Sequence, residues 1–356
     1  MKFRKWLIAF FALTLAALAL LGSVTVIIDP FFHYHAPLEG LEYEIFEQRY
    51  QNHGILRHFD YDTVITGNSM CENFKSSQCD RLFGCRSVKV PFSGASSREL
   101  DLNLRDAFEA RGDIRLVIMD VDCANILADK DYMYYEMKDY PLFLYDKNPI
   151  NDVKYLFNKS IFKSSLNVLS YTRSGKKATS FDDYSFWDTP AVSYGRDSVM
   201  AIYERPEERG TEFHMNAERH ERLRASTEQN YLETIRANPD TEFYIFFPPY
   251  GILFWDKQLQ NGTLELQLEA EKEFAEMLLE YENVHLFSFM DEFELVCDFD
   301  RYKDYIHYDS GVNEWIMDCL ASGEHELRPD NCQEYFDRVH EFYRNYDYDA
   351  LFENAG

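Results

Sequence analysis

No two cysteines of this sequence stand in a C-x-x-C pair, and none stands in zinc-finger spacing with a histidine. The common structural zinc sites are therefore excluded. The seven cysteines form two loose clusters, Cys71, Cys79, Cys85 and Cys297, Cys319, Cys332, with Cys123 apart. Their odd number leaves at least one thiol free or bridged to another chain, and spacing does not give the pairing. Internal repeats and low-complexity tracts are also missing, which argues against a repeat array or a compositionally biased tail. Basic residues are scarce: 36 Lys and Arg face 62 Asp and Glu, a formal net charge of −26. Such a field repels nucleic acid or a bare polyphosphate and favours a neutral or cationic partner. Only a local patch such as Arg219, Arg222 and Arg224 could hold an anionic group against it.

Charge of either sign is absent between Trp6 and Ile28. The run is long enough to cross the roughly 30 Å apolar core of a bilayer as a helix. Lys2, Arg4 and Lys5 precede it, while Asp29, Glu39, Glu42 and Glu44 follow. This asymmetry puts residues 1–5 in the cytoplasm, makes 6–28 the anchor in a cell membrane, and places everything beyond Asp29 outside. Ala17-Leu18-Ala19 offers a small-x-small cleavage site, but the apolar run continues well past it, which favours an uncleaved anchor over a signal peptide. Without the basic tail the exterior part is more negative still.

The roughly 325 residues beyond the anchor, in a chain with 46% apolar and 16% aromatic residues, are enough for a substantial core. Residues 29–59 read as a stalk, with Glu42 to His53 an amphipathic helix. Short apolar runs then alternate with helical patterns: Thr63 to Thr66, Ser87 to Val90, Leu116 to Val121, Phe243 to Phe247 and His285 to Phe289 read as strands. Glu72 to Phe83, Ser97 to Ala110 and Leu264 to Tyr281 read as crossover helices, and Gly311 to Leu320 as a further helix. The expectation is a three-layer α/β/α domain with a mostly parallel five-stranded sheet over residues 60–320. A Tyr-, Asp-, Lys- and Ser-rich insertion over about 129–225, including Tyr132 to Tyr135, Phe181 to Trp187 and Pro190, interrupts it at the loop end of the sheet. A helical extension, 321–356, follows.

Two short patterns carry chemistry. Gly67-Asn68-Ser69-Met70 follows the first strand, and Asp304-Tyr305-Ile306-His307 precedes the last helix of the domain. A serine hydroxyl is a poor nucleophile unless an imidazole takes its proton and a carboxylate fixes that imidazole. Taken singly, Ser69 reads equally as an ordinary helix N-cap or as a nucleophile, and His307 as a bystander. Strand order sends both to the carboxyl edge of the sheet, where α/β proteins hold ligands, and together with Asp304 they read as a Ser-His-Asp triad. Asn68 can orient the nucleophile loop, and Tyr250 in Pro248-Pro249-Tyr250 can form one pocket wall. His33 and His35 make an H-x-H pair, but just beyond the membrane among aromatics they read as interfacial side chains. No metal and no cofactor is expected.

A serine after the first strand paired with a late D-x-x-H resembles the SGNH/GDSL hydrolase superfamily over about residues 60 to 320. With one anchor and an external domain, the chain is most similar to its membrane-anchored cell-envelope members, such as the D-alanyl transfer and alginate O-acetylation proteins. The resemblance implies a flavodoxin-like domain and an oxyanion hole formed by the amides of Ser69 and Gly94, the latter in Pro91-Phe92-Ser93-Gly94-Ala95-Ser96. The family's G-x-N-D block is replaced by Asp120-Val121-Asp122-Cys123-Ala124-Asn125, which leaves Asn125 as the counterpart of its asparagine donor. The implied activity is O-acyl ester hydrolysis or transfer on an envelope polysaccharide. The implied partners are an acylated glycan or acyl donor and a membrane-bound O-acyltransferase. The departure from G-x-N-D supports an alternative, a catalytically idle scaffold that binds a glycan or such an acyltransferase.

Overall fold

The computed structural model describes residues 2–134, 140–146 and 148–353. The chain divides into two compact units, Met1–Asp60 with Tyr135–Tyr184, and Tyr61–Tyr134 with Ser185–Gly356.

The first unit is helical among its described residues. The helix Lys2–Ile28 contains a 26-residue stretch, Phe3–Ile28, long and apolar enough to cross a membrane. It stops at Asp29, which adopts a left-handed φ of +46° and precedes Pro30, a neighbour that disfavours helical backbone. The buried Asp29 carboxylate accepts the amides of His33, Tyr34 and His35 at 3.0, 2.7 and 3.0 Å and the Tyr155 hydroxyl at 2.6 Å. One side chain thus organises the chain as it leaves the helix. The helix expected at Glu42 to His53 lies later, at Gln48–His58. His33 faces Asp152, whereas His35 bonds the carbonyls of Ala36 and Val26, so their contacts diverge.

The second unit holds a six-stranded sheet, not a five-stranded one. Strands β1 (Thr63–Thr66), β2 (Ser87–Lys89), β3 (Leu116–Asp120), β4 (Glu242–Phe247) and β5 (Val284–Ser288) run parallel in the order β2-β1-β3-β4-β5. The additional strand, β6 (Glu326–Leu327), pairs antiparallel with β5. Its two residues are too short to show a periodicity of their own.

The parallel strands form because their residues are β-branched or aromatic and suit burial on both faces. Alternate rings of β4 show which helices cover which face. Tyr244 and Phe246 meet Phe83, of the helix Ser76–Phe83, and Phe74. Phe243 and Phe247 meet Phe108 of Ser97–Ala110, Phe274 of Leu264–Leu278 and Phe336 of Cys332–Asn345. The result is an α/β unit with helices on both faces. The chain passes from β1 to β2 on one side, then crosses to β3 on the other. The carboxyl edge between β1 and β3 is therefore a switch point, the usual ligand crevice of such sheets.

Candidate active site

Gly67, Asn68 and Ser69 leave β1 at this switch point. Gly67 has φ +137°, a conformation open to glycine alone, and a Cβ there would lie 2.0 Å from Asp120 Oδ1 and 2.6 Å from Cys71 Sγ. Asp120, at the end of β3, accepts the Asn68 amide at 2.9 Å, and Asn68 Oδ1 in turn accepts the Met70 amide at 2.8 Å. These bonds fold Ser69–Cys71 into a single 3-10 turn; the α-helix expected from Glu72 begins only at Ser76. Lys89, wholly buried, takes the carbonyls of Glu72 and Phe74 at 2.6 and 2.8 Å and holds the intervening chain out of helical geometry.

The histidine arrives on a loop of equally definite shape. Tyr302 and Tyr308 form an isolated antiparallel bridge, and the Lys303 amide donates to His307 O at 3.1 Å. Inside this loop Asp304 Oδ1 accepts the amides of Ile306 and His307 at 2.8 and 2.7 Å. An aspartate bonding the backbone two residues on is the common device for such turns. Its other oxygen, Oδ2, lies 2.7 Å from His307 Nδ1, and His307 Nε2 lies 2.7 Å from Ser69 Oγ. With Nδ1 protonated toward the carboxylate, Nε2 is free to accept the serine proton. Burial raises the Asp304 pKa, but the bonds from the His307 ring and the two amides outweigh it and hold the carboxyl below its usual range. It stays ionised at neutral pH, as an imidazole partner must.

Other residues stand round these three. The Trp187 ring meets His307 edge-on at 5.8 Å, and its Nε1 donates to Ser69 O at 3.5 Å. Lys303 Nζ lies 3.5 Å from the Trp187 ring centroid and makes no ion pair among the described residues. Nothing local in the sequence marks these contacts; only the inclusion of Trp187 in the aromatic insertion hinted at them. The basic patch at Arg219, Arg222 and Arg224 is engaged elsewhere, with His214 O, Glu218 and Glu273 respectively.

The remaining expected residues fall in different places. Gly94 has φ +63° in the turn after β2, where the nearby Phe92 amide donates to Gly67 O at 2.9 Å, so its turn is joined to the nucleophile loop. Asn68 is buried, and its side chain serves the turn as described. Tyr250 is 3% exposed with its ring against Phe254, so it belongs to the packed wall behind the strand end rather than to an open surface. Asn125 turns its amide onto Asp122, at 3.3 and 3.0 Å, and lines a cavity with Gln258, Thr263, Leu266 and Gln267. Beneath this edge, burial pushes Asp120 up to about 6, Asp122 to about 7 and Glu271, bonded by Gln267 Nε2 at 2.6 Å, to about 8.

Comparison of the chain with protein-family models, with curated proteins and with solved structures finds no match.

Proposed function

We propose that the chain is a serine O-acyl esterase or acyltransferase of the SGNH type. What supports this reading is the unbroken relay from Ser69 Oγ to His307 Nε2 and from Nδ1 to Asp304 Oδ2, both steps at 2.7 Å, at the switch point of an α/β sheet. The strand order 2-1-3-4-5 is that of flavodoxin-like sheets, as the resemblance requires. In the reaction His307 takes the Ser69 proton as Oγ attacks an ester carbonyl. The amides of Ser69 and Gly94 hold the oxyanion, and Asp304 steadies the imidazolium. Collapse of the tetrahedral species breaks the ester C–O bond, and His307 gives its proton to the departing alcohol. The acyl group on Ser69 then passes to water or to a second hydroxyl by the same steps reversed. We place the site outside the cell, tethered by Phe3–Ile28, where an acylated glycan is the substrate and a membrane-bound O-acyltransferase the source of acyl groups.

The test uses the full chain in detergent with a fluorophosphonate probe and p-nitrophenyl acetate. The wild type is expected to label on Ser69 and to release p-nitrophenol, with Ser69→Ala and His307→Ala abolishing both. A folded wild type that neither labels nor turns over ends the hydrolase reading. It would favour the idle scaffold, on which an acylated glycan or a membrane acyltransferase binds without reaction.

A further inference from the structure

The two loops of the relay lie 238 residues apart in sequence, and a third segment touches both. We propose that Trp187-Asp188 is a strap that positions the triad, fastened to the nucleophile loop through Asn73 and to the histidine loop through Ser310. The proposal rests on the reading of Ser69, His307 and Asp304 as a reacting unit.

At one end, Asn73 Oδ1 accepts the amides of both Trp187 and Asp188, at 3.1 and 3.3 Å. Asn73 is wholly buried and lies four residues beyond Ser69. At the other end, Asp188 Oδ2 accepts the Ser310 amide at 2.8 Å, three residues beyond His307, and Asp188 Oδ1 accepts the Tyr194 hydroxyl at 2.5 Å. Between these fastenings the Trp187 indole lies edge-on to the His307 ring and donates to Ser69 O. Lys303 Nζ lies over the indole ring. A loop is ordinarily the mobile, replaceable part of an α/β unit, whereas this one is bonded through backbone and side chain to the nucleophile half of the relay and through side chains to the histidine half.

The strap matters because proton transfer depends on the separation of Ser69 Oγ from His307 Nε2. A misplacement of about 1 Å can cost on the order of 100-fold in rate. Trp187 and Asp188 are positioning residues, with no proton or bond of the reaction passing through them.

The experiment compares full-length wild type, Asp188→Ala, Asp188→Asn and Trp187→Phe in detergent by hydrogen–deuterium exchange and by the rate of fluorophosphonate labelling. Asp188→Ala is expected to hasten exchange both in residues 67–74 and in residues 303–312, and to slow labelling about 100-fold. Its KM for p-nitrophenyl acetate should stay within about twofold, since binding is not what is lost. Asp188→Asn keeps an oxygen for the Ser310 amide and should recover most of the rate. Trp187→Phe keeps the ring beside His307, loses the Nε1 donor, and should fall between them. Exchange changes confined to residues 185–195, or labelling of Asp188→Ala at the wild-type rate, would overturn the strap. If the wild type does not label, the triad reading fails by itself, and the exchange pattern still decides whether the strap joins the two loops.

Discussion

Gly67 has no functional group, yet it is the residue of the nucleophile loop with the least freedom to change. Any side chain there must displace Asp120 Oδ1, 2.0 Å from the ideal Cβ, and so disturb the acceptor of the Asn68 amide. Gly67→Ala is therefore expected to cost at least about 3 kcal/mol, from an adverse φ added to a steric clash. It should also remove fluorophosphonate labelling. Gly84 is the control: it has φ +62°, but a Cβ there meets nothing within 4 Å, so Gly84→Ala should cost only about 1 kcal/mol. Urea unfolding of the pair measures the difference, and equal losses would refute the packing argument. At this scale the sequence is legible where one residue serves its own turn. The D-x-x-H spacing suits Asp304 because a carboxylate can bond the amides just after it and still reach the ring. Trp187, Asp188 and Asn73 are illegible for the opposite reason, since the bonds that tie the strap to Asn73 and Ser310 each span more than a hundred residues.

Among the elements, legibility follows length and burial. The five parallel strands stand out as short apolar runs because both of their faces are covered, whereas two-residue β6 depends on β5 for its existence. The helix after Ser69 starts later than its sequence pattern implies because Lys89, a strand residue that propensity would send to solvent, is buried on the carbonyls of Glu72 and Phe74. The helix Cys332–Asn345 is an integral layer of the second unit: Phe336 is 0% exposed and packs on Phe247, while Tyr343 stacks on Trp255 at 4.0 Å and donates to Met290 O at 2.7 Å. Phe336→Ala should accordingly cost about 3–5 kcal/mol, as cavities in closed cores do. A loss under about 1 kcal/mol in urea unfolding would mean that the helix covers the sheet without contributing to its stability.

For the molecule as a whole, the buried acids set the response to pH. Asp120, Asp122 and Glu271 have folded pKa values raised by burial to about 6, 7 and 8, above their ordinary values of 3.8, 3.8 and 4.5. The folded state therefore holds protons that the unfolded chain has already released, and stability falls as pH rises from the ordinary values toward the raised ones. Asp304 and Asp188 have the opposite shift: burial raises them, but stronger hydrogen bonds leave them below the usual range. Their contribution is present above the unfolded pKa and disappears in acid. The two trends meet in a stability maximum in the acid range, close to the ordinary carboxylate pKa. Above it, unfolding free energy should decline by about 1.4 kcal/mol per pH unit for each of the three acids still protonated in the fold, most steeply below about pH 6 and by a single such increment just below pH 8. Glu271 holds its proton in the fold across this whole window while the unfolded chain has released it, so Glu271→Gln should make the decline shallower by about 1.4 kcal/mol per pH unit from pH 5 to about pH 8 and leave the part due to Asp120 and Asp122 in place. Three of the four tryptophans, Trp187, Trp255 and Trp315, belong to the unit that holds these acids, so urea unfolding followed by tryptophan emission reads the change where it arises. A Glu271→Gln curve parallel to the wild type up to pH 8 would show that Glu271 is ionised in the fold despite its burial, with Gln267 and the Cys123 thiol sufficient to hold its charge.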